Sequence, residues 1–259
     1  MSKKQSNATK QANMQAASER AAAIRAEYER KERRNRLIIV ASVVVAMLLI
    51  VVAVAVALSK SDTSGEAAGA PGGVVDGYSV PMGPNDAPVS VTVYEDFMCP
   101  YCGLFEQVSS EKLKEYADGG DVQVRYHVVS FLDAQSSDDY STRAANALAV
   151  VQDTAGSEVA VEFHDALFAN QPEEGGAGLS DEQMIELAVE AGADEEAIRG
   201  PIEDLKFEQF VVNATNEWSE RGFTGTPAVA VNGEKVEFTD AENLLANTEK
   251  AIADALAEQ

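Results

Sequence analysis

The chain has 259 residues, with 43 Asp and Glu against 20 Lys and Arg, a formal net charge of -23, and only two cysteines. The length admits one sizeable core plus appendages. Residues 1–36 hold ten Lys or Arg against four Glu, whereas everything from residue 59 onward holds ten against thirty-nine, so the larger part excludes nucleic-acid or anionic-membrane binding through its surface field.

Residues 14–36 are rich in Ala, Glu and Arg, with Glu27–Lys31, Glu29–Arg33 and Glu32–Arg36 at i,i+4, which predicts a charged helix. Leu37 to Leu58 then runs 22 residues without a charge, enough to span a hydrocarbon core as a helix. Arg30, Lys31, Arg33, Arg34 and Arg36 abut its N-terminal end, so the positive-inside rule puts residues 1–36 in the cytoplasm and 59–259 outside. A cleaved signal peptide would have a shorter apolar region and a shorter basic region, although Ala55-Val56-Ala57 offers a small-residue site. Arg33-Arg34 fits a twin-arginine signal poorly and reads better as part of the topogenic cluster. The division expected is a basic cytoplasmic segment 1–36, a transmembrane helix 37–58, a flexible Gly, Ser and Pro-bearing linker 59–79 and a domain 80–259.

Within that domain, Gly83-Pro84-Asn85-Asp86 is a turn signal leading into the alternating β-branched strand Val89–Tyr94. Gly103 to Asp118 reads as a helix stopped by Gly119-Gly120, and Val122 to Phe131 as a second strand. Helical patterns follow at Ser141–Gln152, Val159–Asn170, from a cap at Ser180, and at Asp194–Arg199 and Ile202–Arg221. Pro227–Val231 reads as a short strand, Asn232-Gly233 as a type I′ hairpin turn, Lys235–Phe238 as its partner, and Thr239-Asp240 as the cap of a last helix.

The two cysteines form Cys99-Pro100-Tyr101-Cys102, at a strand-to-helix junction inside a βαβ unit. Two thiols in the first turn of a helix can form and break a small-ring disulfide, and the helix N-terminus favours the Cys99 thiolate. The alternative use of such a pair is a metal. Structural zinc wants four Cys or His ligands, and this chain has two of each, the histidines distant, so no metal and no cofactor is expected. His127 and His164 fall in strand and helix patterns and read as structural.

Two segments, Glu95-Asp96-Phe97-Met98-Cys99-Pro100-Tyr101-Cys102 and Gly222-Phe223-Thr224-Gly225-Thr226-Pro227-Ala228, resemble the DsbA-like branch of the thioredoxin superfamily, in this order and separation. With the apolar span ahead of them, they are similar to its membrane-anchored Gram-positive and actinobacterial members. The resemblance covers roughly Val80 to the C-terminus. It implies an α/β thioredoxin-like fold with an inserted helical domain at about 135–221, preceded by one transmembrane helix. It further implies a thiol:disulfide oxidoreductase in which Cys99 is the exposed reacting sulfur, Cys102 its more buried partner, and Pro100 and Tyr101 tune the thiolate. The Thr226–Pro227 bond would be cis, facing the cysteines and presenting backbone to an extended substrate; an ordinary trans proline opening an edge strand is the alternative. Tyr101 replaces the His often found there in strong oxidants, which points to a less oxidising couple. Glu95 or Asp96 could transfer a proton, oppose thiolate formation, or be an ordinary surface carboxylate. The family's better-known acidic position falls on Val93 and is not carried over.

The function expected is a membrane-tethered extracytoplasmic monomer that oxidises exported proteins with free thiols and is itself re-oxidised by a quinone-linked membrane partner of the DsbB or vitamin-K-epoxide-reductase (VKOR) type. A disulfide reductase or isomerase, and a non-catalytic binding or chaperone module, are the competing readings.

Overall fold

A computed structural model describes residues 69–259. The basic segment 1–36, the apolar run Leu37–Leu58 and linker residues 59–68 lie outside the described residues. Among the described residues, no helix is long and apolar enough to cross a membrane.

Five strands, β1 (Val80–Met82), β2 (Val89–Glu95), β3 (Val122–Val128), β4 (Ala228–Val231) and β5 (Glu234–Lys235), form one sheet in the order β1-β3-β2-β4-β5. β2 is central. Its Val89, Val91 and Val93 and its Thr92 and Tyr94 are buried on opposite faces, as a strand covered on both sides requires. β2 and β3 are parallel, with Val91 opposite Val124; the other pairings are antiparallel. A parallel pair needs a crossover, and α1 (Pro100–Asp118) provides it. The cysteines therefore sit where the central strand hands over to that helix.

Between β3 and β4 lies a helical insertion: α2 (Tyr140–Ala155), α3 (Ser157–Ala169), α4 (Asp181–Glu190), α5 (Glu195–Glu203) and α6 (Glu208–Glu220). α7 (Ala241–Ala257) closes the chain. The insertion shares its core with the sheet: one buried cluster runs from Val91 and Val93 through Phe97 and Tyr126 to Phe163, Leu167 and Ile198. Tyr94, Trp218, Phe223 and Ala228 belong to a second cluster.

Several boundaries differ from the sequence expectation for identifiable reasons. α1 begins at Pro100 rather than Gly103, because a proline at the first helical position loses no hydrogen bond and has the right φ. β3 stops at Val128 rather than Phe131. Beyond Val129, backbone donors leave the ladder: Ser130 N–H goes to Thr215 Oγ1 and Leu132 N–H to Asp96 Oδ2. The helical break expected after Arg199 comes later, at Leu205, whose φ is 50°. Buried Asn146 fixes it there, accepting from Phe207 N–H at 2.8 Å and donating to Ile202 O at 3.3 Å. The hairpin turn Asn232-Gly233 has φ of 49° and 84°, as a type I′ turn needs. Its second strand is only Glu234–Lys235. Ser180 and Gln183 form a complete capping box, and Asp240 caps α7 by accepting from Asn243 N–H.

Candidate active site

The turn carrying the cysteines is held from three directions. Asp96 accepts from Met98 N–H at 2.8 Å, Ser141 Oγ at 2.7 Å and Leu132 N–H at 2.8 Å, tying the loop after β2 to α2 and to the segment after β3. Cys99 N–H bonds Asp96 O. From the segment after α3, Gln171 Nε2 donates to Phe97 O at 3.1 Å and Cys99 O at 2.8 Å. A Cβ at Gly103 would lie 2.2 Å from Gln171 Oε1, so this approach requires the glycine. Gln171 had no signature in the sequence.

Cys99 is the N-cap of α1, with extended backbone, and both thiols are free. Its sulfur is 3.3 Å from Thr226 O, and the Thr226–Pro227 peptide bond is cis. The expectation of an exposed Cys99 needs correcting: the residue is only 3% exposed, because the Thr226 backbone abuts its sulfur, while Cys102 is 1% exposed and Tyr101 between them is 70% exposed.

The two thiols are driven apart in acidity. Cys99 is lowered to about 6, chiefly by a hydrogen bond from the Cys102 thiol, which outweighs burial. The Thr226 side chain and the N–H groups of Cys102 and Tyr101 add to this. Thr226 Oγ1 is buried with no hydrogen-bond partner among the described residues, a donor open to the sulfur once it is charged. Cys102 is pushed well above the ordinary thiol range by burial first and by Cys99 second; Glu95 adds a like-charge contribution. One sulfur is thus prepared as a thiolate and the other as a thiol.

Behind Cys102 lies a group of three buried ionisable side chains. His164 Nε2, from α3, is 2.6 Å from Glu95 Oε1, and both residues are at most 1% exposed. Glu106 lies one turn after Cys102 on α1, 6% exposed, and neither of its carboxyl oxygens has a hydrogen-bond partner among the described residues. The ligating atoms of the three fall within 4.8 Å of one another. Burial alone would push His164 down, but Glu95, with Asp165 and Glu106, holds its imidazole well above the ordinary value. Burial raises Glu106 to about 7. One imidazole and two carboxylates also form a donor set suited to a small divalent cation. In this structure two of the donors are already spent on each other.

Glu95 and Asp96 are therefore both buried rather than surface carboxylates. Asp96 is raised to about 7, chiefly by burial against its three hydrogen bonds, and serves as a brace. His164, read from the sequence as structural, belongs to the charged group 69 residues away from Glu95. Glu106 could have been found: i+4 from Cys102 puts it on the same helical face. His127 is lowered to about 4 by burial and bonds Ala214 O, as a neutral structural histidine does.

Beside the turn is an open cleft of about 620 Å³, lined by Tyr101, Leu104, Val108, the Thr226–Pro227 loop and Phe238. An exposed apolar surface next to a buried reactive pair can bring a second chain to the sulfur.

A family model described as thioredoxin matches residues 76–252. Oxidised DsbA from Mycobacterium tuberculosis is 30% identical, with a TM-score of 0.57 over 70% of this chain and 98% of that one. The serine/threonine-protein kinase PknE of Mycobacterium tuberculosis is 33% identical over 121 residues, 45% of this chain; the match spans only 21% of the kinase's own length. A probable disulfide bond formation protein D from Bacillus cereus is 26% identical over 155 residues, 59% of this chain and 69% of that protein. With the paired thiols at the start of α1, the facing Thr226–Pro227 loop and the helices inserted after β3, the chain belongs to the thioredoxin family, in its DsbA-like thiol-disulfide oxidoreductase branch.

Proposed function

We propose that the protein is a membrane-tethered, extracytoplasmic disulfide oxidase acting on exported proteins with free thiols. The observation that carries this reading is the split between the two thiols. A favoured Cys99 thiolate stabilises the reduced form, so the oxidised form gives up its disulfide readily. The basic cluster before Leu37–Leu58 supports placing the domain outside the cytoplasm, where disulfides persist. The domain has no further thiols for an internal relay, so it exchanges electrons with separate proteins: substrates on one side, and a quinone-linked membrane re-oxidase of the DsbB or VKOR type on the other. The short segment between Leu58 and Val80 argues against a dimeric isomerase with a dimerisation domain there, and the reading proposed is a monomer.

The reaction starts from the Cys99–Cys102 disulfide. A substrate thiolate attacks the Cys99 sulfur, the S–S bond breaks, and Cys102 departs with the electron pair. Buried and disfavoured as a thiolate, Cys102 takes a proton from the group formed by Glu106, His164 and Glu95. The substrate's second thiolate then attacks its own sulfur in the mixed disulfide and displaces Cys99 as a thiolate, a good leaving group at its lowered acidity. The substrate is oxidised by two electrons and the Cys99–Cys102 pair reduced. Pro100 starts the helix that stabilises Cys99. Tyr101 supplies no thiolate donor of the histidine kind, which keeps the couple short of the oxidising extreme.

Stoichiometric oxidised protein mixed with a reduced substrate protein should form substrate disulfides, and Cys99→Ser should abolish this. A reduction potential near that of cytosolic thioredoxin would replace the oxidase by a reductase or isomerase. Activity untouched by Cys99→Ser would leave a binding module.

A further inference from the structure

Six large hydrophobic side chains are exposed among the described residues, and four of them, Tyr101 (70%), Leu104 (50%), Val108 (41%) and Phe238 (37%), line the one cleft beside the cysteines. The same cleft is lined by Asp240 and Glu242, and by no Lys, Arg or His. Asp240 spends one oxygen capping α7, and the helix N-terminus offsets part of its charge. Glu242, exposed in the first turn, forms no ion pair among the described residues. The stretch from Phe238 to Glu242 that lines this cleft holds two carboxylates and no basic residue.

We propose that this cleft selects, among cysteine-bearing segments, those with an apolar side chain and a basic residue close to the reacting cysteine, and rejects those with acidic flanks. The inference rests on the disulfide-exchange reading above and specifies its substrate class. The apolar side chain covers the four exposed hydrophobics. The lysine or arginine meets carboxylates that have no cation of their own in the cleft. An acidic flank meets like charge, and the rejection is as much a part of the selection as the attraction. The wider domain, about -29 from residue 59 onward, attracts a basic segment from further away.

The test uses the full oxidised chain in a neutral detergent and four synthetic peptides with one cysteine each. Three carry a leucine beside the cysteine and flanks of lysine, serine or glutamate; the fourth replaces the leucine by serine in the lysine series. The readout is the rate of mixed-disulfide formation. Each rate is divided by the same peptide's rate with glutathione disulfide, which removes differences in the peptides' own thiol acidity. The lysine peptide should react about tenfold faster than the glutamate peptide at low ionic strength, with the gap closing as salt is raised. Replacing leucine by serine should slow it. The gap should narrow in D240N/E242Q, where asparagine preserves the helix cap. Equal normalised rates for all four peptides would overturn the inference and leave disulfide exchange standing. A gap unchanged in D240N/E242Q would overturn the assignment to this cleft. Failure of every peptide to react would overturn the exchange reading itself.

Discussion

On one side of the Cys99–Cys102 turn lies a wet cleft with exposed Tyr101, Leu104, Val108 and Phe238; on the other lies a dry pocket holding Glu95, Glu106 and His164. Charges in the cleft act through water and are screened by salt within about 10 Å at ordinary ionic strength. Charges in the pocket are hardly screened, so a single proton there matters. The contrast divides the work. The dry side fixes how acidic each sulfur is and where a proton waits, while the wet side decides which chain arrives. Perturbing the dry side should change chemistry and stability together; perturbing the wet side should change partner choice and leave the fold intact.

The largest break comes from removing one member of the buried ion pair. His164→Leu leaves the Glu95 carboxylate in the core without its cation, and should cost about 3–5 kcal/mol of folding stability. Trp218 is the sole tryptophan and is buried in the second core cluster, so its fluorescence during denaturant unfolding reports the loss. Glu95→Leu with His164→Leu should cost less than the two single losses added, and strict additivity would dissolve the pair.

A second, intermediate effect sharpens the asymmetry of the thiols. Cys99 should be alkylated by iodoacetamide with a midpoint near pH 6, while Cys102 stays inert up to the alkaline limit of the assay. The sign for stability follows. A thiol whose acidity is increased by folding contributes stability above its unfolded pKa of about 9 that is lost as pH falls through 6. The reduced protein should therefore gain on the oxidised one between pH 6 and 9, and a flat difference over that window would remove the thiolate stabilisation.

Glu106→Gln should have the smallest effect on stability at neutral pH. Folding raises the carboxyl to about 7, so its contribution is fully present below an unfolded pKa near 4.5 and is lost as pH rises through 7. Glutamine should flatten the decline in stability between pH 4.5 and 7, leaving the part due to Asp96, which is raised in the same direction. It should also shift the pH profile of the exchange reaction. An unchanged profile would take Glu106 out of the proton path.

The three inner strands, the body of α1 and the Asn232-Gly233 turn were readable because their signals are local: alternation, a helical pattern stopped by Gly119-Gly120, a turn dipeptide. The three-residue edge strand β1 and the proline start of α1 were not read. The cysteine pair and Thr226-Pro227 were readable because each is a short motif. The dry pocket was not. His164 meets Glu95 across 69 residues of sequence, through the packing of the insertion onto the sheet, and nothing in its helical pattern says which carboxylate it will face. Helix boundaries in the insertion failed for a related reason, since the break at Leu205 is set by Asn146, in another helix. The exposure of Cys99 was misjudged because the loop that abuts it arrives 127 residues later.

The hydrogen bonds of Asp96 and Gln171 have a bearing on how this domain can be cut down or rebuilt. Ser141 and Gln171, which hold the cysteine turn, both belong to the helical insertion or its connections. Trimming the insertion to leave a bare five-stranded scaffold would strip Asp96 of a donor and the Phe97 and Cys99 carbonyls of theirs, and would open the His164 pocket to water. The helices are thus a structural prerequisite of the redox turn, and a shortened derivative would need replacement side chains at those three points before it could hold a reactive cysteine.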